Sequence, residues 1–280
     1  MVPIPRHARV LPIVVTCGIV MSSATACGST ESSSSDGSSG DYTGDATALD
    51  ADIVAEHPFD KSSFTQGLEV MPEGDLLVGT GLNGESRIYR APVEDAASPT
   101  VSDDLDEKFF GEGVTLHGDS VWQLTWKEGT AFRRDADTLE VTDEASYDGE
   151  GWGICSDGDQ LVTSDGSDAL TFRDPENFES TGTVDVTLDG DPVDELNELE
   201  CVGDGDDRTV WANIWHEDRI VRIDPESGDV TGVLDVDLPA GDRDDADVLN
   251  GIAAVPGEDD RFYLTGKLWD TLYEVRVGEK

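Results

Sequence analysis

Five stretches of the chain resemble one another: Gln66-Gly67-Leu68-Glu69-Val70, Glu112-Gly113-Val114-Thr115-Leu116, Glu150-Gly151-Trp152-Gly153-Ile154, Asn197-Glu198-Leu199-Glu200-Cys201 and Asn250-Gly251-Ile252-Ala253-Ala254. Each opens on a carboxylate or carboxamide, continues with a small or acidic residue and then turns apolar. Their starts are 46, 38, 47 and 53 residues apart. A repeat of this length restricts the fold to arrays in which each unit buries its face against the next, and roughly 40–50 residues is the length of one four-stranded propeller blade.

The remainder of each unit supports strands. A Gly/Asp turn such as Glu73-Gly74-Asp75, Gly118-Asp119 or Asp157-Gly158-Asp159 is followed by a β-rich run ending in Thr, Ser or Asn. These runs are Leu76–Thr80, Val121–Thr125, Gln160–Ser164, Thr209–Asn213 and Phe262–Thr265. Third strands alternate apolar and polar residues, as in Arg87–Arg90 and Arg219–Ile223, and weaker fourth strands follow, as in Leu139–Thr142 and Val230–Val236. The last unit has no residues left for a fourth strand after Val275, whereas Asp52–Glu56 is a spare strand at the other end. Pairing the spare strand with the last unit closes the array and removes its exposed edges. The reading is all-β: a five-bladed β-propeller over residues 51–280, closed by an N-terminal strand. A β-sandwich with a small second domain is the alternative.

The first 50 residues do not belong to that pattern. Arg6 and Arg9 precede an apolar run from Val10 to Val20, then Ser22-Ser23-Ala24-Thr25-Ala26-Cys27. Basic, apolar and small-residue regions in this order make a secretory signal, assigned to residues 1–26. The Cys directly after Ala24-Thr25-Ala26 resembles a prokaryotic lipobox, with Ala24 where such boxes usually carry Leu. Cleavage there leaves the Cys27 thiol for a lipid; a plain signal peptide with an incidental Cys is the other reading. Residues 27–50 are mostly Ser, Gly, Asp and Thr with little to bury, which suits a flexible tether. The expected location is therefore the outer face of the cell membrane, held through a lipid anchor.

The chain carries 62 Asp and Glu against 18 Lys and Arg, a formal net charge of −44 over 280 residues. A polyanion would be repelled, which excludes a nucleic-acid partner. Only five of the basic residues are Lys. Such a surface suits a salty habitat, where screening relieves self-repulsion, or an ordinary exported acidic protein. Beyond Cys17 in the signal and Cys27, the domain keeps Cys155 and Cys201. An exported compartment permits a disulfide between them. They lie five and four residues after Glu150 and Asn197, and this opposite parity points them to the facing sides of adjoining blades. No Cys/His cluster has zinc spacing, and His57, His117 and His216 are scattered. No metal or other cofactor is expected.

In a propeller the first strand of each blade lines the central channel, so Gln66, Glu112, Glu150, Asn197 and Asn250 start near one mouth. Such residues can also cap backbone groups around channel water, and that reading is taken for Glu150 and Asn250. Phe64, Trp126, Trp152, Trp211, Trp215 and Trp269 fall near the same level, and aromatic walls around a few polar groups make a small-molecule pocket. Lys267 follows the second strand of the last unit.

These residues carry a resemblance. Phe64-Thr65-Gln66-Gly67-Leu68-Glu69, Gly81-Leu82-Asn83-Gly84-Glu85-Ser86, Gly111-Glu112-Gly113-Val114-Thr115, Gln123-Leu124-Thr125-Trp126, Glu150-Gly151-Trp152-Gly153, Leu196-Asn197-Glu198-Leu199-Glu200, Trp211-Ala212-Asn213-Ile214-Trp215, Leu249-Asn250-Gly251-Ile252-Ala253 and Thr265-Gly266-Lys267-Leu268-Trp269 occur in this order. Together they resemble the plant- and bacterial-type glutaminyl-peptide cyclotransferases, five-bladed propellers unrelated to the zinc-dependent animal-type enzymes. The resemblance implies a metal-independent acyltransferase that converts the N-terminal Gln of peptides or proteins to pyroglutamate and releases ammonia. It carries site roles onto Phe64, Gln66, Glu112, Trp126, Trp152, Asn197, Trp211 and Lys267. Residue chemistry makes Glu112 the general acid/base, Lys267 or a backbone N–H the oxyanion partner, and the aromatic residues the water-excluding wall. A monomer is expected. A non-catalytic cell-surface propeller that binds peptides or proteins is the alternative. A calcium-dependent propeller hydrolase, with Asp189, Asp191 and Asp194 as its loop, is a third reading.

Overall fold

The computed structural model describes residues 45–239 and 247–280. The signal segment, Cys27 and most of the expected tether lie outside them. Among the described residues the secondary structure is strand, apart from two short 3-10 turns at Val93–Asp95 and Gly205–Asp207. Three antiparallel sheets have four strands each, in chain order, beginning with Thr65–Val70, Gly111–His117 and Ile154–Ser156. An eight-stranded sheet holds two further runs, one beginning with Leu196–Val202 and one with Leu249–Ala254. A two-stranded ribbon, Thr187–Leu188 with Asp191–Pro192, forms a small separate sheet that meets the fourth run through an isolated bridge from Thr187 to Asp229.

The two halves of the large sheet are joined by the strand Thr47–Pro58. It pairs antiparallel with Thr271–Glu279, from Leu49 opposite Glu279 to Pro58 opposite Thr271, with an irregularity between Ile53 and Ala55. Its first three residues also pair in parallel with Gly232, Val233 and Leu234. The strand is longer than the expected Asp52–Glu56 and takes residues 47–50 out of the expected tether. The physical reason is Leu49, which is 2% exposed and packs with Leu234 and Val277.

Strand alternation gives each run two apolar faces, and among the described residues five apolar clusters lie between successive runs. Leu77, Ile88, Val114 and Val121 fill the first gap, and Trp122, Leu124, Ile154 and Phe178 the second. Val162, Leu170, Leu199 and Val210 fill the third, and Trp211, Ile220, Ile252 and Phe262 the fourth. The fifth joins the last run back to the first through Leu68, Val78, Ala253 and Leu272. A disulfide between Cys155 and Cys201 ties the first strands of the third and fourth runs, with Cα atoms 5.4 Å apart across a separation of 46 residues. Closing a loop of that length restrains the unfolded chain, so reduction is expected to cost roughly 2–4 kcal/mol. Denaturant midpoints measured with and without reductant check this; coincident midpoints would overturn it.

The first strands also pack beside one another. A Cβ on Gly113 would stand 2.7 Å from the Trp152 oxygen and 2.8 Å from the Ile154 nitrogen. A Cβ on Gly67 or Gly153 would strike the Val114 nitrogen or the Asn197 oxygen. Only glycine permits backbones to approach this closely. The pattern corrects the register of the third repeat. Gly151-Trp152-Gly153-Ile154 matches Thr65-Gln66-Gly67-Leu68, so Trp152 stands where the other units place Gln66, Glu112, Asn197 and Asn250. Glu150 lies two residues earlier, and Cys155 and Cys201 lie three and four residues after Trp152 and Asn197. At the glycine position the first strand of the fourth run carries Glu198, whose two carboxylate oxygens accept N–H bonds from Leu68 at 3.2 Å and Ile252 at 2.8 Å.

Candidate active site

In an antiparallel sheet the start of the first strand and the end of the second lie at the same end. That end gathers Gln66, Glu112, Trp152 and Asn197 from first strands or their approaches. Trp126, Trp215 and Lys267 each directly follow a second strand, Ser120–Thr125, Thr209–Ile214 and Arg261–Gly266. With Phe64, Phe110, His216 and Asp247 they line a cavity of about 230 Å³. Its wall is aromatic. Phe64 meets Phe110 edge-on at 6.2 Å, Phe110 lies 5.5 Å from Trp126, Trp152 meets Trp215 edge-on at 5.2 Å, and His216 packs on Trp215 at 3.8 Å.

The polar groups are sealed beneath that wall. Gln66, Glu112, Asn197 and Lys267 are all buried. Gln66 Nε2 donates to Glu112 Oε1 at 3.0 Å. Burial pushes the Glu112 carboxyl well above its usual range; Lys267 and the Gln66 bond pull it down, while Glu128 and Glu150 push it further up. Burial pulls the Lys267 ammonium below its usual value, against Glu112 and Asp247, which favour its charge. Lys267 Nζ lies 4.8 Å from the centre of the Phe64 ring. Asn197 lines the cavity, and its buried Oδ1 has no hydrogen-bond partner. The site thus offers a titratable carboxyl, a cation, two amides and an aromatic wall.

Glu150 organises that wall. Its Oε2 accepts the indole N–H of Trp126 at 2.7 Å and of Trp152 at 3.1 Å, and Lys127 stands 3.3 Å from its Oε1. Burial opposes ionisation, but the bonds from Trp152, Trp126 and Lys127 prevail and hold its carboxyl below the usual value. Glu150 therefore braces two walls and stays charged, whereas Glu112 faces the cavity and holds a proton more readily. Glu150→Gln keeps one acceptor and loses the charge. It is expected to lower kcat/KM for the substrate of this site roughly tenfold, mainly through KM; a selective loss of kcat would contradict the bracing role.

A model described as glutamine cyclotransferase matches residues 19–277. The chain belongs to the glutamine cyclotransferase family. It is 35% identical over 233 residues to an Arabidopsis thaliana protein named glutaminyl-peptide cyclotransferase, covering 81% of this chain and 71% of that one. The crystal structure of Myxococcus xanthus glutaminyl cyclase superposes with a TM-score of 0.73 at 35% identity, covering 84% of this chain and 99% of that one.

Of the residues that resemblance to glutamine cyclotransferases singled out, the cavity brings together Phe64, Gln66, Glu112, Trp126, Trp152, Asn197 and Lys267. Trp211 is not among them. It lies within the strand Thr209–Ile214, buried, with its ring 4.7 Å from Phe262 and Arg222 over it. Trp215, just past the end of that strand, takes the place on the wall. Alignment of the units carried the signal, because Trp215 follows its second strand as Trp126 and Lys267 follow theirs. Trp215 was already counted among the aromatic residues near the mouth; Phe110, His216 and Asp247 were missed. Phe110 had a sequence cue, since it precedes Gly111 as Phe64 precedes Thr65.

Proposed function

We propose that this chain is a glutaminyl-peptide cyclotransferase that converts the N-terminal Gln of peptides or proteins to pyroglutamate with release of ammonia. The observation that carries the reading is Glu112: a buried carboxyl with raised proton affinity, hydrogen-bonded to Gln66 and facing Lys267 in an aromatic cavity.

The chemistry follows from those groups. The substrate's free α-amine attacks the γ-carboxamide carbon, forming the ring C–N bond. Holding the side chain curled supplies much of the acceleration, because both reactants belong to one molecule. Glu112 takes the amine's surplus proton and delivers it to the leaving nitrogen, so that the old C–N bond breaks and neutral ammonia departs. Lys267 stabilises the charge that develops on the carboxamide oxygen. Asn197 Oδ1 accepts an N–H from the substrate, Gln66 orients Glu112, and Trp126, Trp152 and Trp215 exclude water. No step calls for a metal. Incubation of the purified protein with a Gln-initiated dipeptide should release one ammonia per pyroglutamyl product, and the N-acetylated dipeptide should release none. Absence of ammonia from the free dipeptide would overturn the assignment.

The architecture that positions these groups is read as a five-bladed propeller closed by the strand Thr47–Pro58. Support comes from the circular order of the apolar clusters and the succession of glycine contacts between first strands. Residues 1–26 are read as an export signal and Cys27 as the lipid-carrying residue that tethers a monomeric enzyme to the outer face of the membrane. Cys27→Ser is then expected to release the protein from membranes or to leave it unprocessed. Unchanged mass and unchanged membrane partitioning would count against the anchor.

A further inference from the structure

Asn250 lies outside the cavity wall and is 0% exposed. Its Nδ2 donates both to the backbone oxygen of Thr65, at 3.0 Å, and to Gln66 Oε1, at 3.1 Å. The Thr65 oxygen can only accept, and this fixes which end of the Asn250 amide faces it. Reversal would place Asn250 Oδ1, which has no partner, against two acceptors. With Nδ2 held there, Gln66 must turn its carbonyl toward Asn250 and its N–H toward Glu112. Asn250 Nδ2 thus donates back to the Thr65 carbonyl and forward to Gln66, and Gln66 donates on to the carboxyl, so the fixed carbonyl sets the orientation of both buried amides.

We propose that Asn250 is a positioning residue that, by locking the Gln66 amide, confines the exchangeable proton of Glu112 to Oε2. Glu112 Oε1 receives an N–H from Gln66 and has no acceptor there to which it can donate. A proton on this carboxyl therefore sits on Oε2. An unlocked Gln66 could reverse when Glu112 is protonated, accept the acid O–H at its own carbonyl, and hold the proton away from the substrate. The inference rests on the reading of Glu112 as the acid/base and adds how its proton is directed.

The experiment replaces Asn250 with Leu, which has similar size and no donor. The Glu112 carboxyl is followed by infrared titration, with Glu112→Gln as the blank that isolates its band from those of other carboxyls. The charged groups facing Glu112, namely Lys267, Glu128 and Glu150, with Tyr147 nearby, are unchanged by the substitution. In Asn250→Leu the midpoint is expected to move about one pH unit toward alkali, because the protonated acid gains a bond that the lock forbids. The acid limb of kcat/KM should move with it. In a Gln66→Met background the same substitution should leave the midpoint where it was, since the effect passes through Gln66. A folded Asn250→Leu protein with an unmoved midpoint would overturn the lock, even if its turnover fell. A second measurement needs no variant. In the wild-type protein the Asn250 Nδ2 protons should exchange slowly throughout the Glu112 titration, and the Gln66 side-chain amide should give one set of signals. A second set that grows as Glu112 protonates would likewise overturn the lock. The infrared and exchange readouts do not depend on turnover, so failure to cyclise Gln-peptides would sink the activity assignment while leaving this test intact.

Discussion

Glu112→Gln is expected to give a folded protein whose kcat for Gln-peptides falls by roughly 10²–10⁴, the usual contribution of a positioned acid/base. The substitution keeps size and an acceptor for Gln66 Nε2, and removes only the carboxyl proposed to carry the proton. Stability should not fall with activity. Glu112 binds its proton more tightly in the folded protein, so its stabilising contribution is complete below the unfolded carboxyl value of 4.5 and is lost as pH rises. Above neutrality the uncharged amide of the variant escapes that loss, and Asp247 still faces Lys267. A Tm at pH 8 no lower than wild type, together with a hundredfold or greater loss of turnover, is the expected pair of results. Glu150→Gln, which loosens two indoles, should cost far less. Near-wild-type turnover in Glu112→Gln, with Glu150→Gln inactive, would show that the shuttle had been assigned to the wrong carboxylate.

That distinction was partly legible in the sequence. The repeat gave each unit its strands because turn chemistry is local: Asp135, Asp157, Asp174 and Asp224 each accept a backbone N–H from two residues on. Part of the acidity is thus turn punctuation. The closing strand could be inferred by counting strands, but its parallel pairing with Gly232–Leu234 depends on where Leu49 finds a core. The third unit was misread by two residues because Glu150 and Trp152 both precede glycine, and composition alone cannot say which glycine approaches the next backbone. The same ambiguity separated Trp211 from Trp215, two identical side chains four residues apart. One belongs to the interior of a strand and packs on Phe262; the other lies past its end, where the pocket is. The direction of hydrogen bonding through Asn250 and Gln66 was beyond reach, because it depends on a backbone carbonyl contributed by Thr65, 185 residues away.

The protein should become less stable as pH rises from 5 to 8, and salt should not abolish the effect. Three carboxylates lie where the first strands meet. Glu198 is 1% exposed and bonded to two backbone N–H groups, Glu69 accepts from Leu116 at 3.0 Å, and Glu200 accepts from Ala254. Burial raises all three; the Glu69 carboxyl is pushed up to about 7, and Glu198 and Glu200 well above 4.5, each facing carboxylate neighbours. Glu69 and Glu200 retain some solvent contact, which softens the penalty; Glu198 is closed off. An acid whose folded value is raised contributes stability that is complete below its unfolded value and is lost as pH climbs through the folded one. For Glu69 that window runs from about 4.5 to about 7, on the order of 3 kcal/mol, and the other two extend it upward. Asp60, Asp135 and Glu150, whose values are lowered, act in the opposite sense below that window. Surface repulsion from a net charge of −44 also grows with pH, but molar salt screens exposed charges far more than buried ones. The expected result in 2 M salt (about 3 Å of screening length at 1 M) is a Tm roughly 10 °C higher at pH 5 than at pH 8. Glu200→Gln keeps an acceptor for the Ala254 N–H and should flatten that slope by raising the Tm at pH 8. A slope that vanishes in high salt would assign the pH dependence to the surface, and a slope unchanged in Glu200→Gln would remove this carboxylate from its cause.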